Sequence, residues 1–446
     1  MSLLERIEKE KNGSSLKVEA DQGIKSESKI SKGQNEMLKE KIQKRIMEKS
    51  KDESIDKGKI RESLTGILDD ILREDEIFVT RRQKEKIITD TINEIVGYGP
   101  ITPLINNEKI TEVMVNGFNS VYVERDGKIE KTPVVFRDDN HVLHIIEKIV
   151  SPLGRRIDES SPMVDARLPD GSRVNAVIHP LALDGPILTI RKFATEPYTI
   201  RNLIDFGTIS PQVASFLKAC VEARLNIIVS GGTGSGKTTT LNVLSCFIPE
   251  EERIVTIEDA AELQLNQEHL VRMETRPPNI EGKGHITVRD LVRNSLRMRP
   301  DRIVVGEVRT GEALDMLQAM NTGHDGSLTT GHANSSRDML TRLETMVLMA
   351  GLEIPLAAVR EQIASAIDLI VYQSRFKDGS RKITNVTEVQ GMEGNIVTLQ
   401  DIFAYKGQGK NDLGMIKGSL EFTGIRPKFI GKLTDSGIRV QEEWFS

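Results

Sequence analysis

A glycine-rich segment at residues 231–238, GGTGSGKT, has the residue types and the spacing that bind phosphate groups. Its pattern is G-x-x-x-x-G-K-[ST], and it lies between the apolar run NIIVS and a segment with helical character. Glycines let successive backbone amides turn toward phosphate oxygens, and a helix N-terminus adds partial positive charge. We predict that Lys237 contacts the β- and γ-phosphates of a nucleoside triphosphate and that Thr238 places its hydroxyl on Mg²⁺. The predicted nucleotide-binding residues are Gly231, Gly232, Thr233, Gly234, Ser235, Gly236, Lys237, Thr238 and Thr239.

Two acidic residues follow apolar runs, at points where a strand is expected to end. Glu258 follows RIVTI at residues 253–257, and Glu307 follows RIVVG at residues 302–306. Open α/β sheets bind ligands beyond the carboxyl ends of their strands, and a phosphate loop needs acids there for the metal ion and for water. We therefore assign Glu258, with Thr238, to the Mg²⁺ shell and Glu307 to polarising the attacking water. A solvated acid at a strand end is the alternative for each.

His324 and His332 lie on either side of a short polar run, SLTTG at residues 327–331. Because they are eight positions apart and have no nearby cysteine, they are a poor pair for zinc. Beside a phosphate loop, threonine and histidine side chains are able to donate hydrogen bonds to a γ-phosphate. The sequence leaves two interpretations open, a γ-phosphate sensor and histidines with a structural role.

Composition excludes several classes of protein. The 446 residues carry 61 Lys plus Arg and 66 Asp plus Glu, a formal net charge of −5, so there is no global basic surface for nucleic acid. Only 4% of residues are aromatic, which disfavours base stacking, and we expect no nucleic-acid partner. No Asn-Lys-x-Asp motif, which reads guanine in GTPases, follows the phosphate loop.

Cysteine content and hydropathy bear on the compartment. Cys220 and Cys246 are too few for a disulfide framework or a four-thiolate zinc site, which favours a reducing compartment. No run reaches the ~18 apolar residues of a membrane helix, and the N-terminus lacks an apolar signal core. We expect a cytoplasmic protein, free or peripheral to a membrane.

The first part of the chain predicts an arm followed by a helical module. Residues 1–58 contain no aromatic residue and no proline and are rich in Lys, Glu and Ser, so we predict a flexible charged arm. Leu38, Ile42 and Ile46 have helical spacing, and a helix that orders on a partner is the alternative to a solvated tail. Residues 59–97 contain two amphipathic stretches that predict a helical module.

Two domains and a tail are expected after this module. Residues 98–195 alternate between apolar and polar around short turns and contain one helical stretch, so we predict an α+β N-terminal domain. Residues 200–405 alternate strands with helices and end in a hairpin at residues 383–405, which predicts an α/β domain with a parallel sheet. Residues 406–446 are expected to be a C-terminal tail, which is weakly structured past Gly407 until the segment FTGIRPKFI at residues 422–430 and the final Trp444.

Five phrases in a fixed order extend the phosphate-loop signal, and they are RLPDGSRVNAVIHPLALDGPILTIRKF, SGGTGSGKTTTLN, RIVTIEDAAELQL, RPDRIVVGEVR and TGHDGSLTTGHANS. Through them, over residues 98–390, the chain resembles the traffic ATPases of bacterial secretion. It is most similar to the type II/type IV secretion ATPases of the tight-adherence pilus-assembly branch. The cysteine cluster that binds zinc in many type II secretion and pilus-extension members is missing, which favours the tight-adherence and type IV secretion branches.

The resemblance implies a RecA-like P-loop domain behind a smaller α+β domain, assembled as a homohexamer that hydrolyses ATP with Mg²⁺. It further implies a motor at the inner face of the cytoplasmic membrane that drives the inner-membrane platform of a pilus or secretion system. The alternatives are the ATPase of a conjugative type IV secretion system, a nucleic-acid motor of RecA or helicase type, and a nucleotide-binding scaffold without catalysis.

The resemblance also implies roles for individual residues. Glu258 corresponds to the acid of the Asp box, Glu307 to the Walker B glutamate, and His324 and His332 to the His box. Basic residues that face the γ-phosphate in the family correspond to Arg167, Arg173 and Arg191. For each arginine, a salt bridge within the sheet is the alternative.

Overall fold

The structure, a computed structural model, describes residues 37–39, 41–42, 44–46, 60–125, 127–193, 197–278, 282–410 and 416–446. It divides into two compact units, Met1–Thr102 and Pro103–Ser446. Most of the predicted arm at residues 1–58 lies outside the described residues. Among the helices that the structure describes, none is long and apolar enough to cross a membrane.

The first unit is helical. It contains α1 (Ile60–Glu74), α2 (Arg81–Ile95) and a 3₁₀ turn at Gly99–Ile101, and α3 (Thr102–Ile105) begins at its last residue. At the start of α2, Thr80 and Gln83 form a capping box in which each side chain accepts a hydrogen bond from the other residue's backbone N–H. This reciprocal cap fixes where α2 begins.

An apolar cluster joins the described part of residues 37–46 to α1 and α2. These residues are helical, and three of their apolar side chains, Leu38, Ile42 and Ile46, are buried. The cluster consists of Leu38, Ile42, Ile46, Leu64, Ile67, Leu68, Ile71, Ile87 and Ile88. The helix that the spacing of Leu38, Ile42 and Ile46 offered as an alternative is therefore present, and these residues pack within the helical unit instead of forming a free arm.

The second unit begins with a six-stranded antiparallel sheet in the order β3-β2-β1-β6-β5-β4. Its strands are β1 (Ile110–Asn116), β2 (Val121–Arg125), β3 (Lys128–Lys131), β4 (Met163–Arg167), β5 (Arg173–Val177) and β6 (Ile187–Arg191). One helix, α4 (Asp139–Val150), and a 3₁₀ turn at Ser151–Leu153 connect its two halves. Asp138 caps α4 by accepting a hydrogen bond from the backbone N–H of His141.

A nine-stranded sheet follows, in the order β15-β14-β13-β12-β7-β11-β10-β8-β9. Its strands are β7 (Ile227–Gly231), β8 (Ile254–Glu258), β9 (Leu270–Glu274), β10 (Arg302–Val308), β11 (Leu328–His332), β12 (Leu369–Arg375), β13 (Arg381–Glu393), β14 (Ile396–Lys410) and β15 (Ile416–Phe422). Neighbouring strands from β12 to β9 are parallel, and β12 to β15 pair antiparallel. The helices are α5 (Ile200–Asp205), α6 (Pro211–Glu222), α7 (Lys237–Ser245), α8 (Val288–Ser295), α9 (Glu312–Asn321), α10 (Ser336–Leu348), α11 (Leu356–Ala366) and α12 (Ile430–Asp435).

The centre of the nine-stranded sheet is covered on both faces. Every residue of β7 and β8 is buried, as expected for parallel strands with helices on both sides. Because parallel strands share a direction, their carboxyl ends meet at one edge, where His332 of β11 lies opposite Gly231 of β7. The predicted α/β fold with a smaller α+β domain before it is confirmed.

The C-terminal region differs from its prediction. The predicted hairpin is present as β13 and β14, but β15 continues the sheet and a 3₁₀ turn at Glu442–Phe445 follows α12. Phe429, Leu433 and Trp444 are buried in the core beside α6, and the Trp444 indole donates a 3.0 Å hydrogen bond to Ser215 Oγ. The expected weak structure past Gly407 is wrong for β15, because this strand pairs with β14 and extends the sheet.

Candidate functional site

The phosphate loop connects β7 to α7 and has the backbone geometry that its glycines permit. Gly234 and Gly236 have φ values of +69° and +95°, in the left-handed region that favours glycine. A Cβ atom at Gly231 would lie 2.1 Å from the carbonyl oxygen of Gln373, so a side chain has no room there. Thr238 and Thr239 lie in the first turn of α7 and are partly exposed.

Lys237 is the first residue of α7 and is buried. Its ammonium donates a 3.0 Å hydrogen bond to the carbonyl of Gly232 and lies 3.3 Å from Nδ1 of His332. Burial lowers the pKa of Lys237, while the negative charge of Glu307 opposes this shift. The lysine therefore lies inside the loop, next to the ends of β10 and β11.

Glu307 lies between an imidazole and a guanidinium. His332 Nε2 is 2.8 Å from Glu307 Oε1, and Arg309 Nη2 donates a 2.8 Å hydrogen bond to Glu307 Oε2. Burial lowers the pKa of His332, and the Glu307 carboxylate opposes this shift. Since β7, β10 and β11 end at one edge, three predicted site residues meet here: Lys237, Glu307 and His332.

Glu258 ends β8 as a buried carboxyl group. Its Oε2 accepts hydrogen bonds from the backbone N–H groups of Glu262 (2.8 Å) and Leu263 (3.0 Å), whereas its Oε1 is buried without a hydrogen-bond partner among the described residues. Burial raises the pKa of Glu258 to about 7, despite these two hydrogen bonds. A Cβ atom at Gly306 would lie 2.9 Å from Glu258 Cγ, so the glycine before Glu307 makes the space that Glu258 occupies.

The oxygen atoms around the loop fit a magnesium–phosphate ligand. Within the described part of the chain, Ser235 Oγ in the loop and Glu258 Oε1 at the end of β8 are both buried without a hydrogen-bond partner. Buried polar atoms without partners are costly, and a bound ligand would supply the missing contacts. Hydroxyl and carboxylate oxygens are the ligands that Mg²⁺ prefers. Among the described residues no group of three His, Cys, Asp or Glu could hold a metal ion, so such an ion would also need phosphate or water oxygens.

Comparison with known proteins gives the family. The family model described as type II/IV secretion system protein matches residues 94–400. The chain belongs to this family. It is thus a secretion ATPase, with the phosphate loop and strand-end acids described above.

Curated relatives of this secretion ATPase are found in several bacteria. A putative conjugal transfer protein of Mycobacterium tuberculosis is 37% identical over 309 residues, which are 68% of this chain and 87% of the relative. The type IV secretion system protein VirB11 of Brucella suis is 32% identical over 303 residues, 61% of this chain and 83% of the relative. The crystal structure of the Brucella suis VirB11 ATPase in complex with sulphate matches at 30% identity with a TM-score of 0.36, covering 64% of this chain and 94% of that one.

The three predicted arginines of the secretion ATPase form one row across the six-stranded sheet. Arg167, Arg173 and Arg191 are direct cross-strand neighbours on β4, β5 and β6, so they share a face. We call this set the arginine row. Like charges in such a row are unfavourable unless anions compensate them.

Each guanidinium of the arginine row has a carboxylate partner. Arg167 lies 2.9 Å from Glu274 and Arg173 lies 2.5 Å from Glu262, while Arg191 lies 3.5 Å from Glu112 of the same sheet. Glu274 ends β9, and the backbone N–H of Glu262 binds Glu258. Two of the three arginines therefore contact residues beside the predicted metal-binding acid, because Glu274 of β9 pairs with Glu258 of β8 and Glu262 follows β8 in the chain.

His324 is not brought to this cluster. It precedes β11, whereas His332 ends it, and Leu328 at the start of β11 pairs with Ile227 at the start of β7. His324 therefore lies toward the opposite edge of the sheet from the phosphate loop. Its Nδ1 is buried and has no hydrogen-bond partner among the described residues.

Sequence reasoning missed Arg309, which binds Glu307, and Glu312, which binds the backbone at Arg309. Arg309 follows Glu307 by two positions, and the backbone N–H groups of Arg309 and Thr310 donate to the buried carboxylate of Glu312 at 2.6 and 2.8 Å. Burial acts to raise the pKa of Glu312, but the hydrogen bonds that it accepts from the Thr310 hydroxyl and from these two N–H groups lower it overall. The signal was present in the motif GEVR, because an arginine two positions from an acid on the same strand edge can turn back onto it.

Proposed function

We propose that this secretion ATPase forms a homohexameric ring that hydrolyses ATP with Mg²⁺ and drives an inner-membrane platform of a pilus or secretion system. The observation that supports it most is the meeting of Lys237, Glu307 and His332 at the end of the phosphate loop. A buried ammonium, a carboxylate and an imidazole at this edge are the groups that bind a phosphate chain and position water.

In this proposal, the residues of the chain act by position and charge. The backbone amides of residues 231–236 and the Lys237 ammonium bind the β- and γ-phosphates. Glu307 accepts a hydrogen bond from the attacking water and orients it in line with the γ-phosphate. His332 contacts Glu307 from the side of Lys237, which suits a residue that registers the γ-phosphate. We retain His324 only as a partly buried structural residue.

Thr238 and Glu258 are the proposed Mg²⁺ ligands. The ion would neutralise charge on the phosphate oxygens. Glu258 would bind the ion through Oε1, which is buried and has no hydrogen-bond partner among the described residues. Its Oε2 already accepts two backbone hydrogen bonds. A cation at Oε1 would also favour the ionised form of Glu258.

Arg173 and Arg167 are the proposed basic residues for the γ-phosphate, since their carboxylate partners, Glu262 after β8 and Glu274 at the end of β9, lie beside Glu258. A phosphate would then compete with Glu262 and Glu274 for the two guanidinium groups. Arg191, paired with Glu112 inside its own sheet, would support the row.

The test of the ATPase site uses the full chain. Lys237→Ala should lose nucleotide binding and turnover, and Glu307→Gln should bind ATP but leave it unhydrolysed. Glu268→Gln, which removes a carboxylate from an exposed position, is the control and should match the parent. A Glu307→Gln protein that hydrolyses ATP at the parent rate would remove Glu307 from the mechanism, and a scaffold without catalysis would show no turnover in the parent.

Assembly and location need their own measurements. Native mass spectrometry with and without ATP should show a sixfold species, and specific activity should rise with protein concentration if neighbouring subunits complete the site. The proposed location is the cytoplasm, at the inner face of the membrane, without a nucleic-acid partner. Co-purification with an integral membrane protein would support this location, and turnover stimulated by DNA would contradict it.

A conjugative type IV secretion role is the second candidate. It is favoured by two relatives, one of Mycobacterium tuberculosis named for conjugal transfer and one of Brucella suis named for type IV secretion. Identifying the membrane protein that co-purifies with the chain distinguishes the two, because a pilus platform and a conjugation channel are different assemblies.

A further inference from the structure

The hairpin formed by β12 and β13 lies directly against the phosphate loop. Gln373 of β12 contacts both ends of the loop. Its carbonyl oxygen lies beside Gly231, and its Nε2 atom lies 3.1 Å from the position that a Cβ atom at Gly236 would take. Its Oε1 accepts a 2.7 Å hydrogen bond from Thr240 of α7. The two ends of the loop and the first helical turn after it therefore contact one strand, whose last residue is Arg375.

Arg381, the first residue of β13, holds the middle of the loop. Its Nε donates a 2.9 Å hydrogen bond to the carbonyl oxygen of Gly234. When backbone N–H groups turn inward to bind phosphate, the carbonyl groups of the same peptides turn outward. A charged donor on an outward carbonyl fixes that peptide, and so orients the neighbouring N–H groups.

Arg375 lies opposite Arg381 in the register of the hairpin. Its Nη1 is 3.5 Å from the position of a Cβ at Gly234, so the guanidinium reaches the same part of the loop. It is exposed, and within the described part of the chain it has no hydrogen bond and no ion pair. Arg309, by contrast, is bound to a carboxylate. Two arginines directly opposite each other repel unless an anion lies between or beside them.

We propose that the tip of this hairpin is part of the nucleotide-binding site. Arg381 is a positioning residue that acts through the carbonyl of Gly234, and the guanidinium of Arg375 binds the phosphate chain of the nucleotide. A planar guanidinium with several donors suits the oxygen atoms of a phosphate group. This inference rests on the proposed nucleotide site at the phosphate loop.

The experiment measures displacement of a fluorescent ADP analogue from the full chain by ADP and by inorganic pyrophosphate. Arg375→Gln and Arg381→Gln should each weaken both competitors about tenfold, the change that corresponds to 1.4 kcal/mol. Arg381→Lys should recover most of the loss, because an ammonium still donates to the carbonyl. Lys377→Gln, which removes an exposed positive charge from the turn of the same hairpin, is the matched control and should bind like the parent.

Each other outcome overturns the inference. If ADP is weakened but pyrophosphate is not, Arg375 contacts the nucleoside and not the phosphates. An equal loss of affinity in Lys377→Gln would show that binding depends on the total positive charge of the hairpin and not on the two arginines. If both arginine variants bind like the parent while Lys237→Ala loses binding, the hairpin has no part in nucleotide binding. The proposed nucleotide site at the phosphate loop would then stand without it. A parent that binds no nucleotide would overturn both proposals.

Discussion

Glu258→Gln tests the electrostatics of the site without any ligand. The parent carboxyl group is buried and has its pKa raised to about 7, from an ordinary value of 4.5. Glutamine keeps the shape of the neutral acid and an oxygen for the hydrogen bonds from Glu262 and Leu263. The variant therefore resembles the protonated parent at every pH.

The direction of the pH dependence of stability follows from whether the folded or the unfolded state binds the proton. Between pH 4.5 and 7 the folded protein holds the proton on Glu258 and the unfolded chain does not, so the free energy of unfolding falls as pH rises. A shift from 4.5 to about 7 is worth roughly 3 kcal/mol in total, at about 1.4 kcal/mol per pH unit. This loss is complete above pH 7. Glu258→Gln should not show this loss, so the variant should be more stable than the parent by roughly 3 kcal/mol at pH 8 and by less than about 1 kcal/mol at pH 5.

The single tryptophan of the chain, Trp444, provides the assay. It is buried in the core of the nine-stranded sheet, so its fluorescence reports unfolding of the part that contains Glu258. Urea unfolding of both proteins at pH 5 and pH 8, in chelator and without nucleotide, gives the comparison, with Glu268→Gln as the exposed control. Parallel pH dependence of parent and Glu258→Gln would refute the raised pKa. Magnesium with ADP should reduce the difference at pH 8, because a cation at Oε1 favours the carboxylate.

Three further changes follow from the packing and charges of the site. Gly306→Ala places a Cβ 2.9 Å from Glu258 Cγ and should cost about 1–3 kcal/mol in urea unfolding, with reduced turnover; an unchanged midpoint would show that the strand shifts freely. Arg173→Gln should lower turnover at least tenfold, as expected for a guanidinium on the γ-phosphate, yet change the free energy of unfolding by less than about 1 kcal/mol, because its ion pair with Glu262 is partly exposed. Trp444→Ala should destabilise the fold by about 3–5 kcal/mol in thermal unfolding, and a loss below 1 kcal/mol would contradict its place in the core.

The sequence predicted the parts of the site that depend on local order. A glycine pattern between a strand and a helix indicates a phosphate loop wherever it occurs, and an acid after a buried run lies at a strand end in any parallel sheet. The contact of Arg381 with Gly234 was not predictable in this way, because 147 positions separate the two residues. It depends on β12 pairing with β7, and no local pattern encodes which strands become neighbours.

The difference between local patterns and distant contacts also explains why both ends of the chain were hard to predict. The periodicity at residues 37–46 offered a helix, but only the burial of Leu38, Ile42 and Ile46 in an apolar cluster decides against a solvated tail. For the C-terminal region, Trp444 finds its hydrogen-bond partner, Ser215, 229 positions away. The scattered apolar residues of that region therefore had no visible pattern, although they belong to the core.

The arginine row also makes the contact between the two sheets of the second unit sensitive to ions. Near Glu258, this contact includes the ion pairs of Arg173 with Glu262 and of Arg167 with Glu274, and all four side chains are partly exposed. Exposed ion pairs are screened by salt over a distance of about 8 Å at physiological ionic strength. Added salt therefore weakens both pairs, whereas the apolar cores on the two faces of the nine-stranded sheet are not screened. Ionic strength thereby sets how readily the small sheet exchanges its carboxylate partners for another anion.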